Sequence, residues 1–451
     1  MEGFMLLRSQ PNQSKIKRYG LCVGAWGTAL VLWLAGTAAA YAQDAVTIKR
    51  PTQLRAAPGD SAAKVAELAA NAAVTRTSQR QGAWVQVRSE SGVTGWVHMF
   101  DIGTPARDNN TAAQALRDLG SKAGGGSSIS VATATVGIRG LGEGDVSRSP
   151  VGGRTASGAQ PLQQLDRWRA SADSARTFAS TAALQSRTVD ALPVPALTPS
   201  AAASSAEASA TEPPQAGAGG DPALGRMLQS VEGMTEAQEA DLGRQMAALL
   251  LQGKPLDPTA ELQRYINLLG RWISLQSSRP HLPWAFVVVD ESDFNAYSAP
   301  GGHVFVTRGL VDRCTDEAEL AGILAHEIAH VTQRHHLHAM RTALRVGTPA
   351  GLPALVRQVH TQGVGAEAEH AADREAVTLA ARAGLDPYGL VSALVQLNAL
   401  GDSDLQFADA HPQSRLRLDH LEQAMARRFD PLVGTKAPVT VDARLEMAGI
   451  K

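Results

Sequence analysis

The run His326-Glu327-Ile328-Ala329-His330 sets two imidazoles four residues apart with a carboxylate between them. On a helix, residues i and i+4 project from one face, so both rings can reach a single metal ion. The glutamate stands where it can take a proton from a water polarised by that metal. These are the minimum parts for hydrolysing a peptide bond with Zn²⁺, one ion per chain. The flanking residues supply the helix. Thr315-Asp316-Glu317 offers a capping hydroxyl and acids in the first turn. Leu320, Leu324, Ile328 and Val331 follow at helical spacing as an apolar stripe. At about 100° per residue, both histidines fall roughly opposite that stripe, so one face packs while the other holds metal.

A hydrolytic zinc needs a third protein ligand and an open position for water. The stretch Glu367-Ala368-Glu369-His370-Ala371-Ala372-Asp373-Arg374 reads as a second helix, ending near Gly384 with Pro387 beyond it. Glu369 and Asp373 are four apart and share a face. Glu369 can ligate while Asp373 hydrogen-bonds a ligand histidine and sets its tautomer. Glu367 is the weaker rival ligand, because it is not four residues before Asp373. His335, His336 and His338 resemble a further metal cluster, but His335 lies nine residues past His326, about half a turn around the axis, so all three are expected to be solvated. Only 38 residues separate His330 from Glu369; Gly347, Pro349, Gly351, Pro353, Gly363 and Gly365 predict a loop there with one short helix near 355–360.

Upstream, Trp284 to Asp290 is a short buried-strand pattern, Pro300-Gly301-Gly302 is turn chemistry, and His303 to Thr307 alternates like a half-exposed strand. An edge strand beside a zinc helix can pair with an extended substrate backbone. Gly302, His303, Val304 and Phe305 are therefore the expected substrate-binding residues.

Several blocks carry a family resemblance. They are Met234 to Gly243, Tyr265 to Leu269, Asn295 to Gly302, Glu319-Leu320-Ala321 leading into the histidine motif, Arg334-His335 after it, Glu369-x-x-Ala372-Asp373, and His411-Pro412 with Arg417 six residues past the histidine. Taken in order over residues of about 221–425, they resemble the zinc metallopeptidase family that includes the CAAX prenyl endopeptidase, HtpX and BepA. The resemblance implies a mainly helical zincin-like domain with a small sheet. It implies His326, His330 and Glu369 as zinc ligands, Glu327 as general base and Asp373 behind the ligands. It also implies a role for His411, either closing the water position on the metal or stabilising the oxyanion formed during attack. The separation of 38 residues departs from the family by its shortness.

The rest of the chain bounds the setting. A length of 451 residues allows two or more domains, and a net charge of −1 with 19% charged residues provides no basic field for nucleic acid. Arg8, Lys15, Lys17 and Arg18 precede an uncharged stretch that ends in Ala40-Tyr41-Ala42, a secretory signal over 1–42. Left uncleaved, that stretch is long enough to anchor the chain in a membrane. Periplasmic or otherwise exported localisation follows. Cys22 has no convincing lipobox, and Cys314 is left alone after cleavage, so no internal disulfide is available. Residues 45–104 read as short strands with turns at Gln81-Gly82 and Ser91-Gly92. They resemble a bacterial SH3 domain through Leu54-Arg55-x-x-Pro58, Gly82-x-Trp84-x-x-Val87 and Gly95-Trp96-Val97. Such a unit is expected either to take a cell-wall or protein ligand or to act as a spacer, with Trp84 and Trp96 lining a groove or filling the barrel core.

Residues 105–220 are rich in Gly, Ala, Ser and Pro and read as a disordered linker interrupted by one amphipathic helix near 160–188. The expected architecture is thus multidomain: a small all-β SH3-like barrel, the linker, a mainly α zincin-like metallopeptidase domain at 221–430 and a tail at 431–451. The expected function is an exported zinc endopeptidase acting on unfolded or misassembled envelope proteins. The alternative is a non-hydrolytic zinc-containing chaperone-like or cell-wall-docking protein. An intact Glu327 counts against it, since a structural zinc site has no use for a base.

Overall fold

The computed structural model describes residues 44–103, 156–195, 222–229, 231–346, 351–400, 414–433 and 438–450. The signal-like segment 1–42 and His411 lie outside the described residues. Among the described residues, no helix is long and apolar enough to cross a membrane.

The first folded part is all β. Strands β1 (Asp44–Ile48), β2 (Thr52–Arg55), β3 (Lys64–Leu68), β4 (Ala73–Gln81), β5 (Trp84–Ser89), β6 (Thr94–His98) and β7 (Ile102–Gly103) form one sheet in the order β3-β2-β6-β5-β4-β1-β7. Alternate residues such as Val85, Val87 and Val97 point inward and are fully buried. Trp84 is buried and Trp96 half-buried.

The segment read as one helix in a linker is two helices, α1 (Ala156–Trp168) and α2 (Ala172–Thr181), the second capped by the Ser171 hydroxyl. Their apolar face is covered: Phe178 packs edge-on against Tyr265 at 6.1 Å, and the chain beyond pairs Arg187 N–H with the Arg382 carbonyl at 2.8 Å. Residues 156–195 therefore belong to the folded body, with two helices where the sequence suggested one. Burial of Ala175, Phe178 and Ala179 supplies the driving force.

The helical part follows. Helices α3 (Pro222–Gln229), α4 (Glu236–Leu250) and α5 (Ala260–Ser274) lead into β8 (Ala285–Val289), β9 (Ala296–Ala299) and β10 (His303–Thr307). Helix α4 opens with a capping box between Thr235 and Gln238. The sheet order is β8-β10-β9, with β10 parallel to β8 and antiparallel to β9. The expected edge strand is thus the central one. All five residues of β10 are buried and its backbone is paired on both sides, so Gly302, His303, Val304 and Phe305 offer no free edge. The alternation in sequence was misleading because both faces of this sheet are covered.

Next come α6 (Arg308–Arg313), α7 (Glu317–Thr332), α8 (His335–Val346), α9 (Leu352–Gln362), α10 (Ala366–Arg382), α11 (Gly389–Leu400), α12 (Ser414–Met425), α13 (Asp430–Val433) and α14 (Val441–Met447). The span between the two motifs holds two helices of 12 and 11 residues, not a loop with one short helix. Leu337, Met340 and Ala343 supply the helical stripe of α8 that the histidines obscured. Helix α7 is buried on every side from Glu317 to Val331, rather than along one stripe. At Gly322 the packing is close: a Cβ there would lie 2.4 Å from the Leu390 backbone nitrogen at the start of α11.

Candidate metal centre

Helix α7 starts on the carboxylate of Asp316, not on the Thr315 hydroxyl; Asp316 accepts from the backbone N–H groups of Ala318 and Glu319 at 2.9 and 3.1 Å. From there the helix carries His326 and His330 on successive turns, and Glu369 arrives from the first turn of α10. His326 Nε2 stands 2.9 Å from His330 Nε2 and 3.4 Å from Glu369 Oε2, while His330 Nε2 is 3.5 Å from Glu369 Oε1. Ligands about 2.1 Å from a tetrahedral zinc stand about 3.4 Å apart, so the triangle fits one such ion. Among the described residues, these three form the group whose donor atoms lie close enough together to hold one metal ion, and all three are buried. The donor set, two imidazoles and a carboxylate, suits zinc held for hydrolysis. Glu367 is exposed and takes no part.

Each ligand histidine has its other nitrogen held. His326 Nδ1 lies 3.0 Å from Asp373 Oδ1, one turn beyond Glu369 on α10. Asp373 is gripped from α12 by Arg417, whose Nε and Nη2 donate to its two oxygens at 2.9 and 2.6 Å. Arg417 is 1% exposed, and its Nη1 is 3.7 Å from Glu369 Oε2. Burial opposes ionisation of Asp373, but the charge and hydrogen bonds of Arg417, with His326, hold its carboxyl well below the usual range. Burial and Arg417 both disfavour a charged His326, yet its hydrogen bonds to Asp373 and Glu369 push it up to about 9. These carboxylates favour positive charge at the site, which a bound cation supplies in place of the proton. Burial drives His330 well below the usual imidazole range, towards the neutral form a ligand needs.

His330 Nδ1 is 2.9 Å from His335 Nδ1. His335 and His336 are buried, at 9% and 7% exposure, which corrects the expectation of solvation for these two, while His338 is half-exposed. The half-turn argument assumed one continuous helix. Instead α7 ends at Thr332, Arg334 adopts a left-handed φ of 56°, and α8 begins afresh at His335.

Glu327 is 2% exposed and accepts a hydrogen bond from Ser298 Oγ of β9 at 2.8 Å. Strand β9 therefore sits against the motif helix; it pairs with β10 on one side and, among the described residues, with no strand on the other. A small apolar recess lined by Phe294, Leu310, Ile323 and Leu394 opens beside Glu327 and Arg417. Sequence reasoning missed Ser298, His335 and the task of Arg417. All three lay in blocks that carry the family resemblance, Ser298 in Asn295 to Gly302, His335 after Arg334 and Arg417 six residues past His411, but none of those blocks gave the residue's task.

Residues 258–425 match the model of Peptidase family M48, and residues 51–99 match the bacterial SH3 domain. The Beta-barrel assembly-enhancing protease of Escherichia coli (strain K12) is 30% identical over 182 residues, 36% of this chain and 37% of that protein. A putative beta-barrel assembly-enhancing protease of Vibrio cholerae is 34% identical over 122 residues, 27% of this chain and 25% of that one. The mitochondrial metalloendopeptidase OMA1 of Schizosaccharomyces pombe is 27% identical over 175 residues, 35% of this chain and 52% of that one. The chain thus spans about a quarter to a half of the length of these relatives. The buried two-histidine, one-glutamate triangle and these matches agree: the chain carries a zinc metallopeptidase domain of peptidase family M48, with a bacterial SH3 domain ahead of it.

Proposed function

We propose that the chain is an exported zinc endopeptidase that hydrolyses peptide bonds in unfolded or misassembled envelope proteins. The observation that carries this reading is the triangle of His326, His330 and Glu369 with Glu327 on the intervening turn of the same helix. The names of the bacterial relatives support the envelope setting, and the signal-like residues 1–42 support export.

His326, His330 and Glu369 would hold one Zn²⁺, which when bound would supply Lewis acidity for the attack on the peptide carbonyl. Glu327 takes the proton of the attacking water and delivers it to the leaving amine. Ser298, donating to Glu327 Oε2, holds that carboxylate in line. Asp373 fixes the ring of His326, and Arg417 keeps Asp373 ionised. Since β10 is enclosed, backbone pairing with substrate passes to β9, Ala296 to Ala299. The recess at Phe294 and Leu394 takes an apolar side chain beside the cleaved bond. His411 lies outside the described residues; His411→Ala raises basal cleavage if the histidine closes the water position and lowers it if the histidine stabilises the oxyanion.

The test uses the full chain with casein as an unfolded substrate. Cleavage stops with chelator and returns with Zn²⁺. Glu327→Gln retains zinc and loses at least about 10²-fold in kcat. Normal cleavage by Glu327→Gln refutes the mechanism.

A further inference from the structure

The first turn of α7 buries three carboxylates: Asp316, Glu317 and Glu319 are 2%, 3% and 1% exposed. A helix N-terminus favours negative charge, but only by about 1 kcal/mol per group, less than the several kcal/mol that burying an unpaired ion costs. Each acid is therefore held from elsewhere. Glu317 is paired with Arg444 of α14 at 2.7 and 2.6 Å. Glu319 accepts from Ser392 Oγ and Gln396 Nε2 of α11 at 2.5 and 2.7 Å. Asp316 is held by the β-barrel, through Arg80 Nε and Nη2 at 2.9 and 2.7 Å.

The Arg80 contact is placed with consequence. Its side chain is 2% exposed. One edge of the guanidinium grips Asp316, whose other oxygen caps the helix bearing His326 and His330. Its Nη1 donates to Asp386 Oδ2 at 2.5 Å, in the turn that follows the helix bearing Glu369. One planar, always-charged group thus ties together the two helices that supply all three metal-binding side chains. Arg76, on the same strand, donates to Ser392 Oγ at 3.1 Å, and Ser392 donates onward to Glu319. Around this centre the barrel is occupied by its own chain. Lys49 reaches Glu422 of α12, the helix that carries Arg417, at 2.7 Å. The Arg427 guanidinium lies 5.9 Å from the Trp84 ring, and a Cβ on Gly82 would meet Val433 Cγ1 at 2.2 Å.

We propose that Arg80 of the SH3-like barrel is a positioning residue for peptide hydrolysis: by bridging Asp316 and Asp386 it sets the helix of His326 and His330 against the helix of Glu369. The barrel is then a fixed brace of the catalytic unit, and its Trp84 face takes the chain's own residues 427–433. This rests on the peptidase reading above. The bridge acts through about 15 Å of helix, ten residues from Asp316 to His326, so it touches neither substrate nor metal.

The experiment compares full-chain Arg80→Met and Arg80→Lys with the parent and with Arg55→Met, a barrel control whose guanidinium donates to the Ala62 carbonyl inside the barrel. Zinc affinity is read by competition with a chelating dye. Values of kcat and KM are read on a fluorogenic peptide, well below each variant's unfolding midpoint. Arg80→Met is expected to lower kcat about 10-fold and zinc affinity about 10-fold with KM within threefold, because misplaced ligands weaken the metal and the geometry of attack rather than substrate capture. Arg80→Lys recovers part of both, and Arg55→Met changes neither. A folded Arg80→Met with kcat and zinc affinity within twofold of the parent overturns the proposal. If Arg80→Met does not fold, Asp386→Asn is read by the same criteria, since it releases one arm of the bridge and spares the helix cap. A parent that binds zinc but cleaves nothing sinks the peptidase reading, while the zinc measurement still decides whether the brace exists.

Discussion

Replacing Arg417 with methionine tests whether the buried network behind the metal site holds it together. The side chain is 1% exposed and makes two charge-assisted hydrogen bonds to Asp373, at 2.9 and 2.6 Å. Methionine fills much of the volume but strips the fully buried Asp373 carboxylate of its guanidinium, leaving His326 as its one charged neighbour among those described above. Breaking a buried pair in this way costs about 3–5 kcal/mol. It also loosens the group that orients His326, and losses of that kind lower metal affinity about 10–100-fold, a further ~1.4–2.7 kcal/mol in the metal-bound protein. Urea unfolding in chelator reads the first quantity, and zinc competition reads the second. The double variant Arg417→Met with Asp373→Asn separates them. Removing both charges recovers most of the apo stability, whereas zinc affinity stays low because a neutral amide is a weaker acceptor for the His326 N–H. An apo Arg417→Met within about 1 kcal/mol of the parent, or a double variant as unstable as the single one, would falsify the reasoning.

Three further outcomes are expected. Gly322→Ala forces a Cβ to 2.4 Å from the Leu390 backbone and costs at least about 2 kcal/mol by urea unfolding; an unchanged midpoint means that α11 can back away. Arg444→Met strips Glu317 of a bidentate partner at 2.7 and 2.6 Å and destabilises by about 3–5 kcal/mol, despite lying far from the metal ligands; a loss under about 1 kcal/mol contradicts the assignment of the C-terminal segment to the folded body. Burial depresses His303 from 6.5 to about 4, so between those values the unfolded chain holds the extra proton. Its contribution is therefore full above about pH 6.5 and is lost as pH falls towards 4, by up to roughly 3 kcal/mol. A His303→Gln chain should show a shallower fall in stability over that window, and parallel curves for the two proteins refute it.

The chemistry was legible because its geometry is local. Residues four apart on one helix share a face whatever surrounds them, so His326 with His330, and Glu369 with Asp373, were paired from sequence alone. The SH3-like strands were legible for the same reason, through turn glycines and alternating burial at Val85 and Val87. What failed were the inferences about which surfaces are covered. The His303 to Thr307 strand alternates, yet it sits between two neighbours. The reversal at Arg334 turned His335, expected to be solvated, into a buried support for His330. The tail, silent in sequence, supplies Arg444 to the start of the motif helix.

The primary structure by itself determined the candidate ligand types, their spacing and the helices that carry them, since these depend on backbone periods and caps spanning a few residues. Only the tertiary structure decided which strand lies against Glu327, which cation neutralises Asp373, and that Arg80, 236 residues upstream, caps the histidine helix through Asp316. Buried charges choose partners by proximity in space rather than along the chain, and the desolvation cost of leaving any one unpaired makes those distant choices binding.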